Sequence, residues 1–209
     1  MKGLLLKDLY MMKKNLRSWI VMMLVFIGVS CMDSDTLFFV FYPCMLSGMI
    51  PVSLLGYDER GKWDVYAGTL PCSKAQIVSA KYLIGLMVHG GVLLLTAVAQ
   101  GVRMVVMDSF ILSEYLAMTG MLVMLGCASA AITLPFMFKF GVEKGRMAYY
   151  VMVGIISGSS VFLPRYFRPE LAQQVSLNGV LAIAVVVIIG LYILSWRLSI
   201  RFYEKRELK

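Results

Sequence analysis

The chain has 209 residues, 60% of them hydrophobic and 15% charged, with a mean hydropathy of +0.80. A soluble domain carries about a quarter charged residues, so this composition excludes an ordinary soluble protein and predicts a chain that crosses a membrane several times. The formal net charge of +8 does not point to nucleic acid. The bases flank apolar runs, where anionic lipid and orientation account for them, and no stretch pairs a basic stripe with stacking aromatics.

Residues 1–17 place Leu5, Leu9, Met12 and Leu16 at three- and four-residue spacing and carry Lys7, Lys13, Lys14 and Arg17. This predicts an amphipathic helix lying in the interface. A basic start followed by the apolar run Trp19–Met32 also has the outline of a signal peptide. No A-x-A-like site follows, however, and Gly28-Val29-Ser30-Cys31 is a poor lipoprotein box. The run is read as a first span, short at roughly 21 Å of helical rise. Asp33-Ser34-Asp35 is an acidic turn, and a second span, Leu37 to Tyr57, holds Pro43 and Pro51 as expected kinks.

Residues 58–81 form the longest polar segment, with Asp58, Glu59, Asp64, Arg60, Lys62, Lys74 and Lys81 between two apolar runs. A third span runs from Tyr82 to Gln100, with Arg103 and Asp108 beyond it, and a fourth from Tyr115 to Phe138. Lys139–Arg146 is a short basic turn, Met147–Leu163 a fifth span, Arg165–Asn178 an outer loop, Gly179–Trp196 a sixth span, and a basic tail follows. The expected fold is an all-α polytopic membrane protein. It has an interfacial helix over 1–17 and a six-span domain over 18–209, with 58–81 as its main loop.

Six spans put both termini on one side. The N-terminus, the 58–81 loop, the 139–146 turn and the tail hold five, four, three and five bases, against Arg103, Arg165 and Arg168 in the outer segments. That bias predicts cytoplasmic termini.

Little in the chain suggests catalysis. It has no phosphate loop, no HExxH and no GxSxG. The cysteines, Cys31, Cys44, Cys72 and Cys127, lack the spacing of a zinc site or a disulfide framework, and no metal site is expected. The seventeen methionines read as membrane packing rather than a copper path. His89, the only histidine, either lines a pathway or hydrogen-bonds a neighbouring helix. Glu114 starts the fourth span, where a helix's first turn favours a negative charge; an outer gate is the other reading. Gly154 and Gly158 form a GxxxG face for packing within the chain or across a dimer. Acids are scarce inside the spans, which argues against ion coupling and for an energy source outside the chain.

The interfacial opening Lys2-Gly3-Leu4-Leu5-Leu6-Lys7-Asp8-Leu9, the block Asp58-Glu59-Arg60-Gly61-Lys62-Trp63-Asp64 and the step Leu70-Pro71-Cys72-Ser73 resemble the membrane permeases of the ABC transporter type-2 family. The resemblance implies a bacterial cytoplasmic-membrane half-transporter. Its partners would be a separate ATPase subunit that binds ATP and Mg, and a second permease chain, identical or not; this chain would hold no cofactor. It places a coupling helix for the ATPase between about Asp58 and Leu70, with Asp58, Glu59, Arg60, Lys62, Trp63, Asp64 and Tyr66 as docking residues. Trp63 is then either a buried anchor in the partner or a lipid-headgroup anchor. Ser73 caps the helix that returns to the membrane. The cargo suited to a mostly apolar interior is an amphipathic or hydrophobic peptide, drug or lipid. The rival reading is a non-transporting immunity or sensor subunit that signals through the same loop.

Overall fold

The computed structural model describes residues 2–15, 17–32, 37–67, 69, 71–147, 150–151, 154 and 177–205. Among the described residues the helices with defined bounds are α1 (Lys2–Asn15), α2 (Arg17–Met32), α3 (Leu37–Arg60), α4 (Trp63–Ala67), α5 (Lys74–Val106), α6 (Leu112–Phe140) and α7 (Leu177–Lys205). No strand occurs among the described residues. Four of the helices, α3, α5, α6 and α7, are long and apolar enough to cross a membrane, and α2 is a shorter apolar helix. The Asp33-Ser34-Asp35 turn, most of the expected fifth span with Gly158, and the outer loop up to residue 176 lie outside the described residues.

The helices overrun the boundaries expected from hydropathy. α3 continues through Pro43 and Pro51 to Arg60, so Asp58, Glu59 and Arg60 belong to a spanning helix and not to the start of a separate one. α5 has 33 residues, about 50 Å of rise against a hydrocarbon core of about 30 Å, so its ends project beyond the core. Its start is set locally. Ser73 Oγ accepts from the Gln76 amide at 3.2 Å while Gln76 Oε1 accepts from the Ser73 amide at 3.2 Å, satisfying two orphan donors reciprocally. Lys139–Arg146 is not a simple turn: α6 ends at Gly141 (φ 88°) and residues 142–147 are helical again. α7 runs to Lys205, with Ser199 and Tyr203 buried.

α5 is the axis of the bundle. Its Ile77, Val78, Ala80 and Tyr82 join a core shared with Leu4 of α1, Ala67 of α4, Cys127 and Leu134 of α6, and Tyr192 and Tyr203 of α7. Its Ile84 and Val92 join a second core with Met23 of α2 and Val40, Ile50 and Leu54 of α3. Hydrogen bonds fix the pairings. Tyr82 Oη lies 2.8 Å from Ser195 Oγ and 2.7 Å from Ser199 Oγ, and its ring stacks on Trp196 at 5.4 Å.

Small residues let α3, α5 and α6 meet closely. A Cβ on Gly48 would lie 2.7 Å from Ser129 Oγ, and one on Gly85 would lie 2.8 Å from Pro51 Cγ. A Cβ on Gly126 would overlap the His89 ring, whose Nδ1 is 2.8 Å from Ser47 Oγ of α3. Gly126→Val is therefore expected to destabilise the bundle by about 1–3 kcal/mol, the usual range for overpacking. Thermal unfolding in detergent measures this, and adding His89→Ala should recover most of the loss. An unshifted Gly126→Val would show that the approach does not matter.

Candidate functional site

Four charged side chains from three helices meet at the end of the bundle that carries residues 58–81. Lys81 Nζ of α5 lies between Asp8 Oδ1 of α1 at 2.7 Å and Asp58 Oδ2 of α3 at 2.6 Å. Lys7 Nζ is 2.7 Å from Asp58 Oδ1 and 3.3 Å from Asp8 Oδ1. Asp8 is 1% exposed, Lys81 2% and Asp58 3%. Two cations alternate with two anions, so the group is neutral as a whole, and each buried charge has opposite charges beside it. Such a group gives modest net stability when intact. Removing one member is costly, because a dry charge is left unpaired.

The cluster also positions α4. Beyond Asp58 the chain turns at Gly61-Lys62, with the Gly61 amide donating to the Tyr57 carbonyl at 2.9 Å and Lys62 in the left-handed region at φ 51°. A five-residue helix, α4, follows; on its own it is far below the length at which a helix is stable in water. Tertiary contacts hold it. Lys7 Nζ sits 4.0 Å from the centroid of the Trp63 ring, a cation–π contact, and Trp63 packs on the core around Leu4 and Val78. One ammonium thus touches both Asp58 and Trp63.

The candidate docking residues separate into two groups. Asp58 is buried in the cluster, Trp63 faces its own chain, and Glu59 Oε2 accepts from the Val142 amide at 3.0 Å, fixing the helical segment 142–147 to the end of α3. These three have internal partners. Arg60, Lys62 and Tyr66 are exposed, and the Asp64 side chain lies outside the described residues. Val65, which charge patterning does not single out, is 61% exposed beside Tyr66 at 58%. A polar depression of about 380 Å³ at the end of α3 is lined by Glu59, Arg60, Glu143, Lys144 and Arg146. This end of the bundle therefore presents an exposed apolar pair, Val65 and Tyr66, close in sequence to the exposed bases Arg60 and Lys62.

His89 and Glu114 do not come together. His89 is 6% exposed and sits among α3, α5 and α6, with its ring against Gly126 and its Nδ1 at Ser47 Oγ. Glu114 is exposed and lines a cavity of about 450 Å³ at the opposite end of α5, with Phe41, Gln100, Arg103, Met118 and Met121. Arg103 donates at 3.2 Å to the Ser30 carbonyl near the C-terminus of α2, where a cation is favoured. Gln100 Nε2 donates to Ser30 Oγ at 3.0 Å. Gly154 is exposed, and a Cβ added to it would meet no atom within 4 Å.

Lys81→Met is expected to cost about 3–5 kcal/mol, because it leaves two buried carboxylates, Asp8 and Asp58, with Lys7 as their one remaining cation. Lys7→Gln should cost clearly less, since the Lys7 side chain is 22% exposed. Denaturant unfolding in detergent compares the two, and Asp58→Asn in the Lys81→Met background should return part of the loss. Equal, small effects would show that the charges are not coupled.

A family model described as ABC-2 family transporter protein matches residues 3–204. No curated protein and no solved structure matches the chain. The match takes in the charge cluster, α4 and the four described helices long enough to span, and the chain belongs to the ABC-2 transporter family as a multi-pass membrane permease.

Proposed function

We propose that the chain is one half of the membrane pathway of an ATP-driven exporter, and that α4 is where a soluble ATPase subunit docks. Family membership gives the permease role and the kind of partner. The observation that carries the docking site is the tie between α4 and the cluster: Trp63 lies under Lys7, and Lys7 pairs with Asp58. A displacement of α4 is thereby delivered to α1, α3 and α5 together. Val65 and Tyr66 supply the apolar contact, and Arg60 and Lys62 the charge that steers an acidic groove.

In this reading six spans make half a pathway, so a second permease chain completes it. The termini and residues 58–81 face the cytoplasm of a bacterial cell, as the distribution of bases favours. ATP and Mg stay on the partner. The cavity beside Arg103 and Glu114 mixes methionine and phenylalanine walls with one base and one acid, which supports amphipathic cargo over a sugar polymer.

The test is co-purification of the tagged chain with a soluble ATPase from its native host, followed by an ATPase assay. Val65→Ala with Tyr66→Ala should weaken association about tenfold or more, as expected for the loss of an exposed aromatic anchor, with the fold unchanged by thermal unfolding. Trp63→Ala should lower stability as well as association. If the double variant binds and stimulates ATP hydrolysis normally, α4 is not the docking site.

A further inference from the structure

A second feature is built on α1, on the side away from the cluster. α1 and α2 leave between them a groove of about 850 Å³. Leu6, Leu9, Met12 and Ile20 line its walls, and Lys13 and Arg17 line it where the two helices join. Both bases are exposed, and neither pairs with an acid among the described residues. No acid among the described residues lines the groove. The one acid of α1, Asp8, is 1% exposed inside the charge cluster, and α2 carries none.

We propose that this groove binds an anionic phospholipid, its headgroup phosphate on Lys13 and Arg17 and an acyl chain along the apolar walls. The charge pattern selects this occupant. An apolar trough closed by two unpaired cations matches a ligand with an apolar tail and a negative head. A second copy of the chain would bring the same bases against each other, and a zwitterionic lipid carries its own compensating cation. α1 also holds Lys7 and Asp8 in the cluster with Asp58 and Lys81, so a lipid seated here braces the helix on which the cluster depends. The site does not depend on the export reading, because it concerns lipid retention alone.

The experiment uses the full-length chain in mixed micelles with equimolar phosphatidylglycerol and phosphatidylcholine, with bound lipid counted by native mass spectrometry. Phosphatidylglycerol should be retained preferentially. Lys13→Gln with Arg17→Gln should weaken its retention about tenfold or more, from two bases acting at the surface. Arg201→Gln with Lys205→Gln, which removes the same charge from exposed positions of α7, should leave retention unchanged. Val21→Trp, which fills the groove from a position 52% exposed, should lower retention without changing net charge. The proposal is overturned by retention of both lipids alike, by an equal loss in the α7 control, or by full retention in Val21→Trp.

Discussion

The group Lys7, Asp8, Asp58 and Lys81 is the constraint on which this end of the molecule depends. Inside a membrane the hydrophobic effect does not choose between one apolar helix face and another, since lipid tails are as apolar as leucine. Specific packing then has to come from close steric fit and from the few polar contacts present. The cluster supplies the strongest of these and joins positions separated by 51 and 73 residues in sequence. Tyr82 with Ser195 and Ser199, His89 with Ser47, and Gln100 with Ser30 act in the same way further along the bundle. Each is a polar pair between two helices that apolar surface alone would leave free to slide.

Because of the cluster, the short α4 behaves as part of a larger body. Five residues with an exposed Val65 and Tyr66 would not hold a conformation alone. Lys7 against the Trp63 ring and Asp58 at the foot of α4 fix it to three longer helices. Glu59, one residue beyond Asp58, reaches across to the Val142 amide, so the segment after α6 belongs to the same unit. Adjacent acids on α3 thus hold the elements on either side of them.

Much of this architecture was legible in the sequence, and the misses share one cause. Hydropathy located α2, α3, α5, α6 and α7 because long apolar runs have few alternatives in a membrane, and Ser73 marked the start of α5 by its capping chemistry. The boundaries failed where helices leave the apolar region, as at Asp58–Arg60 and beyond Trp196, because hydropathy falls there while backbone hydrogen bonding continues. The polar residues 58–64 read as one exposed surface, since composition cannot show which side chains turn inward. Two signals did exist. Asp8 lies four residues after Leu4, on the same helical face, and both are buried; Lys81 stands next to the apolar run that starts at Tyr82. A lone acid on a buried stripe and a lone base at the foot of a span need partners, but only the fold could pair them with each other.

α5 connects the two ends of this arrangement. It carries Lys81 near one end and Gln100 and Arg103 near the other, and a continuous helix is stiff along its length, with no proline or described break between them. At the first end it is fixed to α1 and α3 by charge. At the second, Arg103 and Gln100 hold the Ser30 end of α2 and line the cavity shared with Glu114. One unbroken helix therefore joins the charge cluster at Lys81 to the α2 contact and to the wall of that cavity at Arg103. Gly85 against Pro51 and Gly126 against His89 lie between these ends, where backbone-close contacts leave the least room for sliding. They hold α5 against α3 and α6 by steric fit, between an end fixed by charge at Lys81 and an end fixed by hydrogen bonds at Gln100 and Arg103.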